Sequence, residues 1–162
     1  MPESSEMRFN MKNNCCPPKD PCVICPVKPA NYAYYSQNGR LYNRALFGGL
    51  FFENPPVQTD GFYYDTGIIQ ILNPGTYLAS YLVNFPAGAT VDTRLALQLN
   101  NQNLTGTVRT VEKTVTGIPF TASAQVIFQI DSISAVRLSS SAIIDLHLPE
   151  EDTAASLLIL QL

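Results

Sequence analysis

The sequence predicts an all-β fold, an antiparallel sandwich preceded by an extended arm. Apolar and polar residues alternate with a period of two through residues 76–85, 93–100 and 120–131, as in strands with one covered face. Turn signals such as Asn38-Gly39, Pro74-Gly75, Pro86-Ala87-Gly88 and Gly117-Ile118-Pro119 separate the strand-like stretches, the rhythm of a sandwich or barrel. No stretch sustains a 3.6-residue apolar period with caps, so no helix is expected.

Taken in order, residues 1–14 form a polar leader in which Met7, Phe9 and Met11 alternate with polar residues. That faint strand pattern could add to the sheet edge of another subunit. Residues 15–29, CCPPKDPCVICPVKP, hold all four cysteines and five prolines. So many prolines exclude a helix and a regular ladder, and the segment reads as an extended arm close to polyproline II. The division is an arm over residues 1–29 and a head domain over 30–162. In the head, residues 31–37 read as the first strand, with Asn38-Gly39 as a hairpin turn. Residues 41–52 follow, broken at Gly48-Gly49, and Asn54-Pro55-Pro56 ends them.

Residues 62–85 read as two strands joined by the Asn73-Pro74-Gly75 corner, where Pro removes a donor and Gly accepts positive φ. Tyr77, Ala79, Tyr81, Val83 and Phe85 point one way; Leu78, Ser80, Leu82 and Asn84 point the other. Both faces of this strand are expected to be at least partly covered. Leu95, Leu97 and Leu99 should face inward from the next strand, and residues 100–103 turn the chain back. Residues 104–116 read as one polar strand with a bulge, because Val108 and Val111 are out of phase. Ala122, Ala124, Val126, Phe128 and Ile130 share a face. Residues 134–148 carry Val136, Leu138 and Ile144, residues 149–152 form a loop, and residues 154–162 close the chain. Tyr77, Tyr81, Phe85 and Phe128 are the candidates for core or subunit interface.

This stretch carries a resemblance. Tyr64-Asp65-Thr66-Gly67, a short apolar strand, then Pro74-Gly75-Thr76-Tyr77 and an alternating strand resemble the jelly-roll heads of the complement and tumour-necrosis-factor group. The later strands lean toward its bacterial branch, the C-terminal heads of BclA-type collagen-like proteins of the spore surface (exosporium). The resemblance covers about residues 31–162. It implies a jelly-roll head that packs as a homotrimer, burying its aromatic strand faces around the three-fold axis. It also implies a place on the spore surface or an extracellular appendage, with other spore-surface proteins as further partners. The Gly-X-Y stalk usual before such heads is missing, and the Cys/Pro arm stands in its place.

Composition bounds the partners. Charged residues make up 14% of 162, hydrophobic residues 46%, and mean hydropathy is +0.04. Average soluble domains carry roughly 25% charge. A surface so poor in charge is expected to be covered in part by other copies of the chain. A net charge of −3 with scattered cations gives no basic stripe for nucleic acid. There is no apolar run long enough to span a membrane and no signal-peptide core, so neither a membrane anchor nor a secretory signal is expected.

No catalytic constellation is expected, and the chain reads as a non-enzyme without cofactor. The single histidine, His147, shares a strand face with Asp145, and Ser139, Ser140 and Ser141 are near in sequence, yet no nucleophile elbow surrounds them. The run Glu150-Glu151-Asp152 offers carboxylates for Ca²⁺, the alternative being a solvated loop; no metal site is assigned. Cys15, Cys16, Cys22 and Cys25 admit three chemistries. Zinc wants paired thiolates that converge tetrahedrally, and a redox Cys-x-x-C wants a helix to cap; the spacing and prolines suit neither well. Disulfides are preferred, directed to cysteines of other arms or other proteins because the head has none.

The function expected is therefore structural: a self-assembling head whose arm cross-links or docks subunits into a fibre or surface layer. The alternative is an adhesive trimeric head that recognises protein or glycan through loops 86–92, 100–103 and 149–153.

Overall fold

The computed structural model describes residues 30–112 and 118–162, which form thirteen strands and no helix. In chain order they are β1 (Tyr32–Asn38), β2 (Arg40–Tyr42), β3 (Val57–Gln58), β4 (Phe62–Asp65), β5 (Ile68–Ile71), β6 (Gly75–Phe85) and β7 (Thr93–Leu99). Then follow β8 (Gln102–Asn103), β9 (Arg109–Val111), β10 (Phe120–Ile130), β11 (Ser134–Ser140), β12 (Asp145–His147) and β13 (Thr153–Gln161). All pairings are antiparallel. One sheet runs β10-β6-β13-β1-β3, the other β4-β5-β11-β7-β8 with β9 also on β7, and β12 pairs β2 in a small ribbon. This is an antiparallel jelly-roll sandwich.

The alternating strands put one face inward. Along β6, Tyr77, Ala79, Tyr81, Val83 and Phe85 are all buried, and Ala122, Ala124, Phe128 and Ile130 of β10 pack with them. The second sheet answers with Phe62, Ile69, Ile71, Leu95, Leu97, Val136 and Leu138. Phe62 bridges the layers by meeting Tyr77 edge-on at 6.2 Å, and within the first sheet Tyr77 stacks on its cross-strand partner Phe128 at 5.9 Å. Edge-to-face and offset stacks at these distances are the favoured aromatic geometries.

Two hairpins explain local sequence. Thr66 (φ 45°) and Gly67 (φ 82°) form the two-residue turn between Asp65 and Ile68, and Asn100 (φ 49°) and Asn101 (φ 69°) do the same between β7 and β8. Positive φ at both central positions gives a turn whose twist matches that of the strands.

The expected single strand before the Pro-Gly corner is thus a hairpin, β4–β5. The corner itself joins β5 in one sheet to β6 in the other. Tyr77 Oη donates to the Asn73 carbonyl at 2.7 Å and pins that crossing. Asn38-Gly39 is not a hairpin turn. Gly39 does have positive φ (67°), but β1 pairs β13 and β3 while β2 leaves for β12. Residues 134–148 likewise divide into β11 and β12 in separate sheets. Of the strand expected over 104–116, residues 113–116 lie outside the described residues; the described part is a loop followed by β9, because Thr107 Oγ1 donates to the Leu104 carbonyl at 2.7 Å and folds the chain there. In the stretch between β2 and β3, Leu50 and Phe52 are buried in the core while Leu46 and Phe47 lie exposed.

Candidate assembly face, distal pocket and outer cleft

The register of the first sheet sets its outward side chains in rows. Ile127 of β10 lies opposite Leu78 of β6, Leu78 opposite Leu160 of β13, and Leu160 opposite Tyr32 of β1. The next row runs Gln125, Ser80, Leu158, Tyr34 and Val57. Ile127 is 62% exposed; Tyr32, Tyr34, Val57 and Leu158 are exposed too, and Leu78 and Leu160 are half-buried. No outward position of the five strands carries a charge. An apolar band four strands wide on a charge-free face has the composition of an interface centre rather than of ordinary protein surface.

Tyr77, Tyr81, Phe85 and Phe128 lie on the other side of these strands. They are buried within the subunit, Tyr77 completely. Tyr81 Oη donates to the Thr107 carbonyl at 2.7 Å, and burial pushes its phenol up to about 12. With these aromatic residues taken up by the core, the face left open is the opposite one, where Ile127, Leu78, Leu158 and Leu160 lie with Tyr32 and Tyr34. Its signal in the sequence is the unbroken apolar run Leu157-Leu158-Ile159-Leu160, which supplies both sides of β13 at once.

The two ends of the sandwich differ. At one end Asn31 and Gln161 are tied together: the Gln161 N–H donates to the Asn31 carbonyl at 2.8 Å, and Asn31 Nδ2 donates to Gln161 Oε1 at 2.6 Å. The first described residues therefore lie beside the last strand. Cys15, Cys16, Cys22 and Cys25, like the alternating leader, lie outside the described residues. Loop 100–103 is at this end as well, since the Asn100 N–H donates to the Ala135 carbonyl at 2.8 Å. Loops 86–92 and 149–153 meet at the far end, around a pocket of about 400 Å³ bounded by Phe85, Pro86, Phe120, Pro149 and Asp152.

A second cleft, about 340 Å³, lies on the outer face of the second sheet. Its floor is Ala96 and Ser139, partners across β7 and β11; its walls include Phe47, Arg94, Asn103 and Val108.

Asp145 and His147 do share a face, with His147 Nε2 3.4 Å from Asp145 Oδ1. Asp145 is held instead by Arg40, whose Nε and Nη2 donate to its two oxygens at 2.8 and 2.9 Å. That guanidinium lowers the Asp145 carboxyl below its ordinary range. No serine joins the pair: Ser139 Oγ donates to the Ala96 carbonyl and Ser140 Oγ to the Ala142 carbonyl. Among the described residues no group of three or more His, Cys, Asp or Glu gathers as a metal site, and Glu150-Glu151-Asp152 stands exposed.

These features define an all-β jelly-roll head with one apolar sheet face open. No protein-family model matches the sequence, and no curated protein does. Solved structures do match in fold. Crystal structures of murine APRIL at pH 5.0 and pH 8.0 superpose with a TM-score of 0.53 and 14% and 15% identity, covering 82% of this chain and 99% and 98% of theirs. A third, at pH 8.5, gives 0.51 with 13% identity. At such identity the likeness is one of fold, a tumour-necrosis-factor-like jelly roll.

Proposed function

We propose that this chain is a structural, self-assembling protein of a spore surface or appendage. In this reading the jelly-roll head associates as a homotrimer, and the cysteine-bearing arm links subunits or trimers into a fibre or layer. The observation that carries the proposal is the charge-free apolar face, with the row Ile127–Leu78–Leu160–Tyr32 at its centre. Covering such side chains against another copy stabilises by roughly 1.5–3 kcal/mol each when they go from exposed to fully buried, and in a three-fold ring this face meets a different surface of the neighbouring subunit, a heterologous contact that closes after three copies. Tyr64–Gly67 and Pro74–Tyr77 carry the resemblance to the wider complement and tumour-necrosis-factor group, and the spore-surface setting rests on the lean of the later strands toward its BclA-type branch. The linking role of the arm rests on four cysteines in a proline-rich segment next to a head that has none. The arm joins the head beside Gln161, so three associated heads would present their arms together.

Light scattering on residues 30–162 tests the head: a trimer is expected, and a stable monomer at micromolar concentration sinks the proposal. Denaturing gels of assembled full-length protein test the arm. Covalent multimers without reductant that collapse to monomer with it are expected; identical monomer bands in both lanes remove the cross-linking role.

A second reading, an adhesive head, is favoured by one observation: loops 86–92 and 149–153 come together around the distal pocket, at the end away from the arm. Saturable binding on a glycan or protein array that survives removal of residues 1–29 and is lost in Phe120→Ala supports it. An array that stays blank counts against it.

A further inference from the structure

We propose that the cleft on the outer face of the second sheet is a binding site for a carboxylate-bearing sugar, such as a uronic acid unit of a glycan. The cleft is built by the sheet. Ser139 and Ala96, paired across β11 and β7, put two small side chains where larger ones would fill the surface. Phe47 stands beyond β11 on one side, because its N–H donates to the Ser140 carbonyl at 2.8 Å and Gly49 bridges Ser139. Val108 stands on the other side, just before β9, which pairs β7. The two apolar walls are therefore about three strand spacings apart, roughly 14 Å, and the cavity of about 340 Å³ is in the range of small-ligand sites.

The polar lining is rich in donors. Gln98, only 7% exposed, accepts from Arg137 Nε at 2.7 Å and donates through Nε2 to Asn103 Oδ1 at 2.9 Å. That relay fixes the Asn103 amide by its oxygen and leaves its two N–H donors without a hydrogen bond among the described residues. Arg94 adds a guanidinium. Ser139 spends its proton on the Ala96 carbonyl, and Ser141 Oγ accepts from the Arg94 N–H. Among the described residues none that lines the cleft is a carboxylate, although acidic residues outnumber basic ones in the chain. Unspent donors and a guanidinium lining one cleft call for an anionic, acceptor-rich ligand, since charge-assisted bonds to a carboxylate are the strong ones.

The ring of the ligand is indicated by Phe47. This residue is 57% exposed and holds a left-handed φ of 56°. A bulky non-glycine residue at such φ is a genuine outlier, and such strain collects at functional sites. Its ring offers an apolar plane against which the C–H face of a pyranose can lie, across the cleft from the Asn103 donors. The cleft is on the sheet opposite the assembly face, so this site and the self-assembly reading stand or fall separately.

Saturation-transfer NMR on the full chain, with glucuronate, glucose and acetate as probes, decides the matter. Transfer to the ring protons of glucuronate is expected, with glucose and acetate bound more weakly. Arg94→Gln and the isosteric Asn103→Asp should each weaken glucuronate by at least about tenfold, with unchanged thermal melting. Phe47→Ala should remove the preference for glucuronate over acetate. No transfer to glucuronate, equal binding of acetate, equal binding of glucose, or affinity unaltered by Arg94→Gln would each overturn the assignment.

Discussion

Gly49 and Gly67 lie back to back: a Cβ built on Gly49 would sit 2.9 Å from the Gly67 carbonyl carbon and closer still to its oxygen. Tyr64 seals the same crossing from the side, its Oη accepting the N–H of Phe52 at 2.8 Å and of Gly67 at 3.1 Å. The motif Tyr64–Gly67 thus holds the loop that follows Tyr42 against the β4–β5 hairpin.

Gly49→Ala should therefore be costly. The added methyl meets backbone, which cannot rotate away, and overpacking of this kind costs about 1–3 kcal/mol. Urea unfolding of residues 30–162 should show the midpoint falling with the slope unchanged. An unshifted midpoint would mean that the two glycines part easily.

The apolar row predicts a surface variant that separates assembly from folding. Ile127→Glu adds a charge at a position 62% exposed in the subunit, so the isolated head should keep its far-ultraviolet spectrum. Its mass by light scattering should drop to that of one chain, because an unpaired charge at the centre of an interface is disfavoured by several kcal/mol. A variant that still forms trimers would place the interface elsewhere.

The buried phenols predict an alkaline limit. Tyr81 stays neutral in the native head until about pH 12, and burial raises Tyr35 further. A free tyrosine ionises near pH 10. Below that value both states are neutral and stability does not depend on these groups. Between about pH 10 and 12 the unfolded chain loses phenolic protons that the native head keeps, so stability falls as pH rises. Denaturant titrations across this window should show a loss on the order of 1–3 kcal/mol per phenol, and Tyr81→Phe should flatten part of the decline.

At the acid end the effect is small. The folded Asp145 carboxyl lies below its unfolded value because Arg40 grips it, so its contribution is present above the ordinary carboxylate range and is lost as pH falls through the depressed value. Both partners are about half exposed. Asp145→Asn should change stability by less than about 1 kcal/mol in urea unfolding of the head. A larger loss would make the β2–β12 ribbon a stronger clamp than its exposure implies.

Much of the fold was legible because a period of two is a local property. β6, β10 and β13 are nearly where their alternation puts them, and the inward set of β6 is the one its aromatic residues mark. Partner choice was not legible, because it is settled by residues far away in the chain. Asn38-Gly39 has the backbone of a turn, yet the seven residues of β1 pair with β13, more than a hundred positions later, and this outweighs the local hairpin. The assembly face was harder still. Along Leu157–Leu160 both faces are apolar, so the sequence marks a strand covered twice without saying which cover is the core. The outer cleft had no linear signature at all. Phe47, Arg94, Asn103 and Ser139 come from four separate segments, brought together by the register of β7 with β8 and β11 and by the docking of Phe47 and Gly49 on the end of β11.

The knot of hydrogen bonds between Asn31 and Gln161 has a use in engineering. Because entry and exit share one corner of the barrel-like end, a few glycines could splice residue 162 to residue 30, and the ring could be reopened in the exposed stretch at Ala87-Gly88. Such a circular permutant would carry the same head on an arm attached at its opposite pole, turning the molecule upside down relative to whatever the arm holds.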